Sequence, residues 1–180
     1  MRIAISGPTA CGNSTASRLV AKALRLKKYN YTFHDLARES KIPFEKLHAK
    51  AEKDARLDVL LDRKQIEFAL KEKNCVVGTR LAVFLDRIAP QLGMKKPAFD
   101  LKVWLDAPEP VRAGRLAKRD KKSADAALKE IRYRDSSNKK RYKKLYNLDF
   151  KKPVRCLLVD NSSLDAKQTA ALIITAARKA

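Results

Sequence analysis

The sequence predicts a three-layer α/β fold on a mainly parallel sheet, and two observations carry that expectation. Four short runs, Arg2 to Ser6, Cys75 to Val77, Leu101 to Leu105 and Cys156 to Val159, are continuously apolar at their centres and bounded by breakers. Strands buried on both faces of a parallel sheet read this way, whereas half-exposed strands alternate. Helix-period segments separate the runs, and strand alternating with helix places helices on both faces of one sheet. A chain of 180 residues suits a single domain over residues 1–180, large enough for a core without disulfide or metal staples.

Taken in order, the first strand leads into a turn-rich stretch from Gly7 to Gly12 and then a helix over Ser14 to Leu26, with Leu19, Val20, Ala23 and Leu24 facing inward. On that helix Arg18, Lys22 and Arg25 recur at helical spacing and line one outer stripe. Two mostly polar helices follow, Asp35 to Lys41 and Glu45 to Lys73, interrupted at Pro43 because proline disfavours helical geometry in the residue before it. The last helix runs from Leu164 to Arg178 behind a Ser162-Ser163 cap. Neither an internal repeat nor a dividing linker is present.

Composition narrows the function classes. With 45% hydrophobic residues the chain has enough apolar surface to fold, and 5 Gly and 7 Pro exclude collagen-like and low-complexity classes. Cys11, Cys75 and Cys156 are far apart with no CxxC pair, which suggests neither a disulfide framework nor a zinc site and fits reduced thiols in a cytosol. The longest apolar-rich run, Ala170 to Ala177, is too short for a membrane span, and Met1-Arg2-Ile3 opens no secretory segment. A cytoplasmic protein with no membrane partner is expected.

Against 20 acids stand 41 bases, a net charge of +21, which predicts attraction to polyanions; a coat of solvated lysines is the plainer alternative. Val111 to Arg155 alone holds 17 of the 41 bases and 5 of the 20 acids. Within it Arg112, Arg115 and Arg119 share a helix face, and Lys139, Lys140, Arg141, Lys143 and Lys144 flank Tyr142. Tyr133, Tyr142 and Tyr146 could stack on unpaired bases or pack into the core; both readings stand at this stage.

Gly7-Pro8-Thr9-Ala10-Cys11-Gly12-Asn13-Ser14 follows the first strand and opens the first helix, the context and GxxxxG-x-S spacing of a phosphate-binding loop. In such a loop backbone N–H groups point inward, the helix N-terminus adds partial positive charge, and Gly12 allows close approach to phosphate oxygens. Ser14, followed by Thr15, stands where a hydroxyl would ligate Mg²⁺. The position before it should be Lys, which stabilises charge as a phosphoryl group moves, but here it is Asn13. An amide donates a hydrogen bond without net charge, and losing one preorganised donor costs roughly 10²–10³ in rate.

Beyond the loop, the chain resembles the archaeal-type cytidylate kinases, a branch of the P-loop nucleoside monophosphate kinases, nearly end to end. The matching stretches are Met1 to Pro8, Ala51-Glu52, Leu57-Asp58, Asp62 to Glu67, Arg80-Leu81-Ala82, Lys102 to Pro108, Val111-Arg112-Ala113 with Arg115 and Arg119, and Arg132, Arg134, Arg141-Tyr142 and Tyr146. The resemblance implies a three-layer P-loop kinase-like α/β core, a CMP-binding helical segment from about Phe33 to Glu67, and a basic, mobile lid region over about Val111 to Phe150. It also implies ATP, CMP and Mg²⁺ as ligands. By position Arg80 would hold the CMP phosphate, Asp58 and Arg63 would lie along the monophosphate site, and Arg115, Arg119, Arg132, Arg134 and Arg141 would surround the phosphates.

Departures from the family pattern gather at these sites. Asn13 replaces the loop lysine, His34 stands where the pattern has arginine, and Lys28-Tyr29-Asn30-Tyr31 replaces a stretch of small residues. Gly78-Thr79-Arg80 lacks the acid expected before Gly-Arg, and Asn138 replaces a lid acid, so the acids that would read cytosine or tether the lid are expected to be missing. Eroded chemistry plus added cations gives the main expectation: a catalytically impaired kinase fold reused to bind RNA, ribosomal RNA included, through Arg18, Lys22, Arg25, Lys139, Lys140, Lys143 and Lys144, with no cofactor required. The alternative is a working cytidylate kinase transferring phosphate from ATP to CMP or dCMP.

Overall fold

A computed structural model describes residues 1–29 and 31–180, apart from the side chains of His48 and Glu52. Asn30, within the departing stretch named above, lies outside the described residues. Five strands, β1 (Arg2–Ser6), β2 (Lys27–Tyr29), β3 (Cys75–Gly78), β4 (Leu101–Asp106) and β5 (Leu157–Asp160), form one sheet in the order β2-β3-β1-β4-β5. All four pairings are parallel. Helices α1 (Asn13–Ala23), α2 (Phe33–Ser40), α3 (Phe44–Lys53), α4 (Ala55–Lys71), α5 (Leu85–Ile88), α6 (Glu109–Asp120) and α7 (Ala124–Tyr146) lie in the crossovers, and α8 (Ala166–Ala177) follows β5.

The pleat divides the core. Ile3, Ile5, Val76, Val103 and Leu105 point to the face covered by α1 and α8, where Val20, Ala170 and Ile173 meet them. Ala4, Val77 and Trp104 point to the other face, against Ile66, Phe84, Leu85, Tyr142, Tyr146 and Phe150. Successive strand residues face opposite sides, so both faces need apolar residues, and the continuous runs follow. Tyr142 and Tyr146 are each 4% exposed, which decides for core packing over base stacking, whereas Tyr133 is 53% exposed. A smaller cluster of Ala113, Leu116, Ala127 and Ile131 joins α6 to α7.

Several boundaries differ from the sequence expectation for local reasons. Strand β2 was not anticipated, because Lys27 and Lys28 at the sheet edge carry no apolar signal and only Tyr29 is buried. Helix α1 stops at Ala23 instead of Leu26: Arg25 adopts a left-handed φ of 53° and the Leu26 N–H reaches the Ala21 carbonyl at 2.9 Å. The expected helix from Glu45 to Lys73 is two, α3 and α4. Asp54 is extended between them, and its carboxylate accepts from Arg56 N at 3.0 Å as the cap of α4. Helix α8 is capped by Asp165, not by Ser162-Ser163, through a reciprocal box with Gln168 at 2.7 and 2.9 Å. Strand β5 is an edge, not a strand buried on both faces, leaving Leu157 37% and Leu158 49% exposed.

Candidate functional site

Loops at the carboxyl ends of β1, β2, β3 and β5 surround a cleft of about 520 Å³, the place where parallel α/β sheets present their ligand sites. Its floor is the Gly7–Ser14 loop. Gly12 takes a left-handed φ of 95°, and Gly7 lies so close to β4 that a Cβ there would sit 2.5 Å from the Leu105 carbonyl oxygen. Helix α1 has no side-chain cap and no acid in its first turn, so its first N–H groups remain available to an anion. Asn13 turns back across the loop and donates from Nδ2 to the Gly7 carbonyl at 3.0 Å. Ser14 and Thr15 line the cleft beside it.

Four guanidinium groups from three elements line the same cleft: Arg80 after β3, Arg115 and Arg119 on α6, and Arg134 on α7. Arg115 is anchored, donating to Asn161 Oδ1 at 2.9 Å and to the Asn161 carbonyl at 2.5 Å, while Asn161 Nδ2 donates to the Cys11 carbonyl at 2.9 Å. Arg134 pairs with Glu130 at 3.0 Å and lies 5.2 Å from the Phe44 ring centre. Arg119 pairs with Asp120 at 2.6 Å. Among the described residues Arg80 has no hydrogen-bond or ion-pair partner; the Ser6 hydroxyl, donating to the Thr79 carbonyl at 2.9 Å, fixes its backbone. Burial and then Arg80 lower the Arg134 guanidinium to about 10, so these cations repel one another unless an anion lies between them.

The opposite wall comes from α2, α3 and α4. His34 stacks on Phe44 with ring centres 3.9 Å apart, and burial, Arg134, Arg119 and Arg80 lower its pKa, so it is neutral at pH 7. Asp58, Leu61, Asp62 and Gln65 form a mostly polar stripe on the buried face of α4, all lining the cleft. Arg141 Nε stands 2.9 Å from Asp58 Oδ2, both side chains buried. Tyr146 donates to Asp62 Oδ2 at 2.7 Å, and Gln65 donates to Asp62 Oδ1 at 3.1 Å. Burial pushes the Asp62 carboxyl up to about 8; burial also raises Asp58, opposed by Arg141.

Two expected site residues lie elsewhere. Arg63 points away from the stripe and donates to the Leu92 carbonyl at 2.8 Å, because one helix step from Asp62 turns a side chain to another face. Arg132 is exposed and paired with Glu109 at 2.8 Å. Arg141 supports the wall through Asp58 and does not itself line the cleft. Gly78 and Asn138 bring no acid to the positions where the family pattern has one; Asp58 and Asp62 line the cleft, and Asp135 ties α7 to the loop by accepting from Thr9 N at 3.0 Å. Sequence reasoning gave Asp62, Gln65, Asn161 and Asp135 no site role. The i, i+4, i+7 spacing of Asp58, Asp62 and Gln65 on a helix otherwise buried by apolar residues was the available signal.

The phosphate loop, its position at the carboxyl end of β1 and the ring of arginines define a P-loop kinase fold. Among solved structures, deoxyadenosine kinase from M. mycoides with bound dATP aligns over 99% of this chain and 100% of its own at TM-score 0.64 and 19% identity. Shikimate kinase from Acinetobacter baumannii aligns over 99% and 93% at TM-score 0.62 and 15% identity. Residues 2–163 match the cytidylate kinase-like family, and the chain belongs to it. "Cytidylate kinase" of Archaeoglobus fulgidus is 35% identical over 179 residues, 98% of this chain and 94% of the relative. "Cytidylate kinase 2" of Borrelia garinii subsp. bavariensis is 38% identical over 152 residues, 83% and 79%.

Proposed function

We propose that the protein transfers the γ-phosphoryl group of ATP to CMP or dCMP, giving ADP and the corresponding diphosphate. The observation that carries this reading is the convergence of four arginines on a phosphate loop, with Arg80 unpartnered among the described residues. A kinase-family cleft built this way suits two phosphorylated ligands meeting end to end. The loop and the N-terminus of α1 bind the triphosphate. Arg80 holds the acceptor phosphate, and Arg115, Arg119 and Arg134 neutralise charge at the transferring group. An oxygen of the CMP phosphate attacks the γ-phosphorus, the bond to the bridging oxygen breaks, and that oxygen leaves on ADP. Asn13 brings no charge, but the cleft is not short of cations, and arginine stabilises such transition states effectively.

Mg²⁺ fits this arrangement. No described group of three His, Cys, Asp or Glu side chains could hold a metal, and Ser14 offers one hydroxyl at the loop. Magnesium usually keeps few protein ligands and relies on substrate phosphates and water. When bound it would supply further charge neutralisation between the phosphates.

Cytosine selectivity is assigned to the α4 wall. Asp58, oriented by Arg141, presents an acceptor that suits the exocyclic amine of cytosine and repels the carbonyl that uracil carries there, while Leu61 and Phe33 offer apolar surface to the ring. Incubating the purified protein with ATP, Mg²⁺ and either CMP, dCMP, UMP or AMP, and following ADP, tests the reading. Turnover with the cytidine nucleotides well above the other two is expected; none above background at millimolar substrate refutes it.

A second reading rests on the charge outside the cleft. Arg18, Lys22, Arg25, Lys139, Lys140 and Lys144 are exposed, while Lys143 is held by Asp149 at 3.0 Å. With a net charge of +21, these cations favour a polyanion such as RNA, ribosomal RNA included, as a further partner. Such binding should weaken by roughly 10³ or more between 50 and 200 mM salt if six or more phosphates are contacted. Salt-independent or undetectable RNA binding removes it.

A further inference from the structure

Thr9 is gripped from both sides of its own backbone. Its N–H donates to Asp135 Oδ1 at 3.0 Å, and its carbonyl accepts from Arg112 Nη1 at 2.9 Å. The two gripping side chains are joined, Arg112 Nη1 standing 2.7 Å from Asp135 Oδ2, with side-chain exposures of 7% and 13%. Arg112 Nε also donates to the Ala107 carbonyl at 2.9 Å, which ties the group to the end of β4. Two helices that carry cleft arginines, α6 and α7, thus close a ring of hydrogen bonds on a single residue of the phosphate loop.

We infer that Arg112 and Asp135 are positioning residues that hold the phosphate loop in its anion-binding shape before any nucleotide arrives and fix the arginine-bearing helices to it. The physical reason lies in the loop itself. It turns through Pro8 to Gly12 with few internal bonds, the Cys11 N–H reaching the Pro8 carbonyl at 3.3 Å. A loop whose N–H groups must converge on an anion gains affinity when its shape is set in advance, because no ordering cost falls on binding. A buried guanidinium that donates to Asp135 Oδ2 and to the Thr9 and Ala107 carbonyls, paired with a carboxylate whose other oxygen accepts from Thr9 N, does this where a lone hydrogen bond would not. The same bonds make Arg134, beside Asp135 on α7, and Arg115 and Arg119 on α6 move with the loop. Closure over the ligands then falls to α2 and α3 on the opposite wall.

This inference rests on the triphosphate-binding role of the loop proposed above, so its test uses anion binding and not turnover alone. Calorimetric titration with inorganic tripolyphosphate and with ATP should show affinity falling about tenfold or more in Asp135→Asn, which preserves shape and one acceptor but loses the ion pair. Arg112→Lys, which keeps charge but loses the planar fork, should behave alike. The KM for CMP should change less than twofold in both, a split that general destabilisation would not give. Unchanged tripolyphosphate affinity, or equal losses at both substrate sites, overturns the inference. Should both variants fail to fold, hydrogen exchange on the wild-type protein decides: the Thr9 amide should be protected without ligand to the level of β1, and rapid exchange there overturns the clamp. Absence of ATP–CMP turnover in the wild type would refute the reaction and leave these two measurements to judge the clamp.

Discussion

The two walls of the cleft are built on different principles. On the phosphate-loop side the polar groups are locked to one another: Arg112 to Asp135 and Thr9, Arg115 to Asn161, and Asn161 to Cys11. On the other side α2 and α3 meet the cleft through rings, His34 on Phe44 with Arg134 above it, and α4 carries a buried polar network. In the proposed reaction the first wall meets one invariant chemical feature, a chain of phosphates, and gains from rigidity. The second must in that proposed reaction admit, recognise and release a base, and stacked rings repack at lower cost than buried ion pairs break.

The largest expected effect is on the second wall. Arg141→Ala removes the partner of a buried carboxylate, and breaking such a pair from one side costs about 3–5 kcal/mol because the remaining charge is stranded. A large drop in the urea midpoint is expected. Asp58→Asn strands the Arg141 guanidinium in turn, but that group keeps Ser137 and Asn138 as neutral acceptors, so a smaller loss is expected, together with a narrower preference for CMP over UMP. If neither variant loses stability, the α4 wall is not organised around that pair.

Next in size, Arg80→Ala should leave the fold intact, since among the described residues nothing pairs with this side chain. It should lower kcat/KM for CMP by roughly 10²–10³, the usual loss for one preorganised donor at a reacting phosphate. Steady-state kinetics with CMP varied at saturating ATP would show it, and an unchanged value would move the acceptor site away from Arg80.

A subtler contrast concerns pH. The Asp62 carboxyl keeps its proton up to about pH 8 when folded, whereas an unfolded chain releases it near 3.8. Over that window the unfolded state binds fewer protons, so this group's contribution makes stability fall as pH rises from about 4 to about 8. Asp62→Asn should flatten the dependence, and urea unfolding at pH 5 and pH 8 would reveal it. The first wall's acid, Asp135, is instead paired with Arg112 at 2.7 Å.

How far the sequence disclosed these walls depends on what kind of signal each carries. The sheet was legible because strands buried on both faces cannot be polar, and the loop was legible because glycine geometry and helix entry are local. Strand β2 was hidden because Lys27 and Lys28 sit at an edge, where polar residues are tolerated. Asp135 was missed because its role was sought at Asn138, one helix turn later on the same face of α7, and only the fold shows which of the two reaches Thr9. The arginines divided on similar grounds. Arg115, Arg119 and Arg134 reach the cleft, while Arg63 and Arg132, equally basic and close in sequence, rotate out of it. Counting cations finds the region; helix phase selects the residues.

Asn13 gives the smallest effect and the sharpest comparison within the loop. Its Nδ2 bond to the Gly7 carbonyl is worth about 1 kcal/mol by the usual net value of a hydrogen bond. Its Oδ1, however, is buried without a partner, and a stranded acceptor costs about 1–3 kcal/mol. Asn13→Ala removes both, so the two should nearly cancel and the urea midpoint should hardly move. That outcome would mean the loop owes its shape to Arg112 and Asp135 outside it and not to the amide that occupies the lysine position. A loss well above 1 kcal/mol would instead make Asn13 the brace of the loop and the external grip secondary.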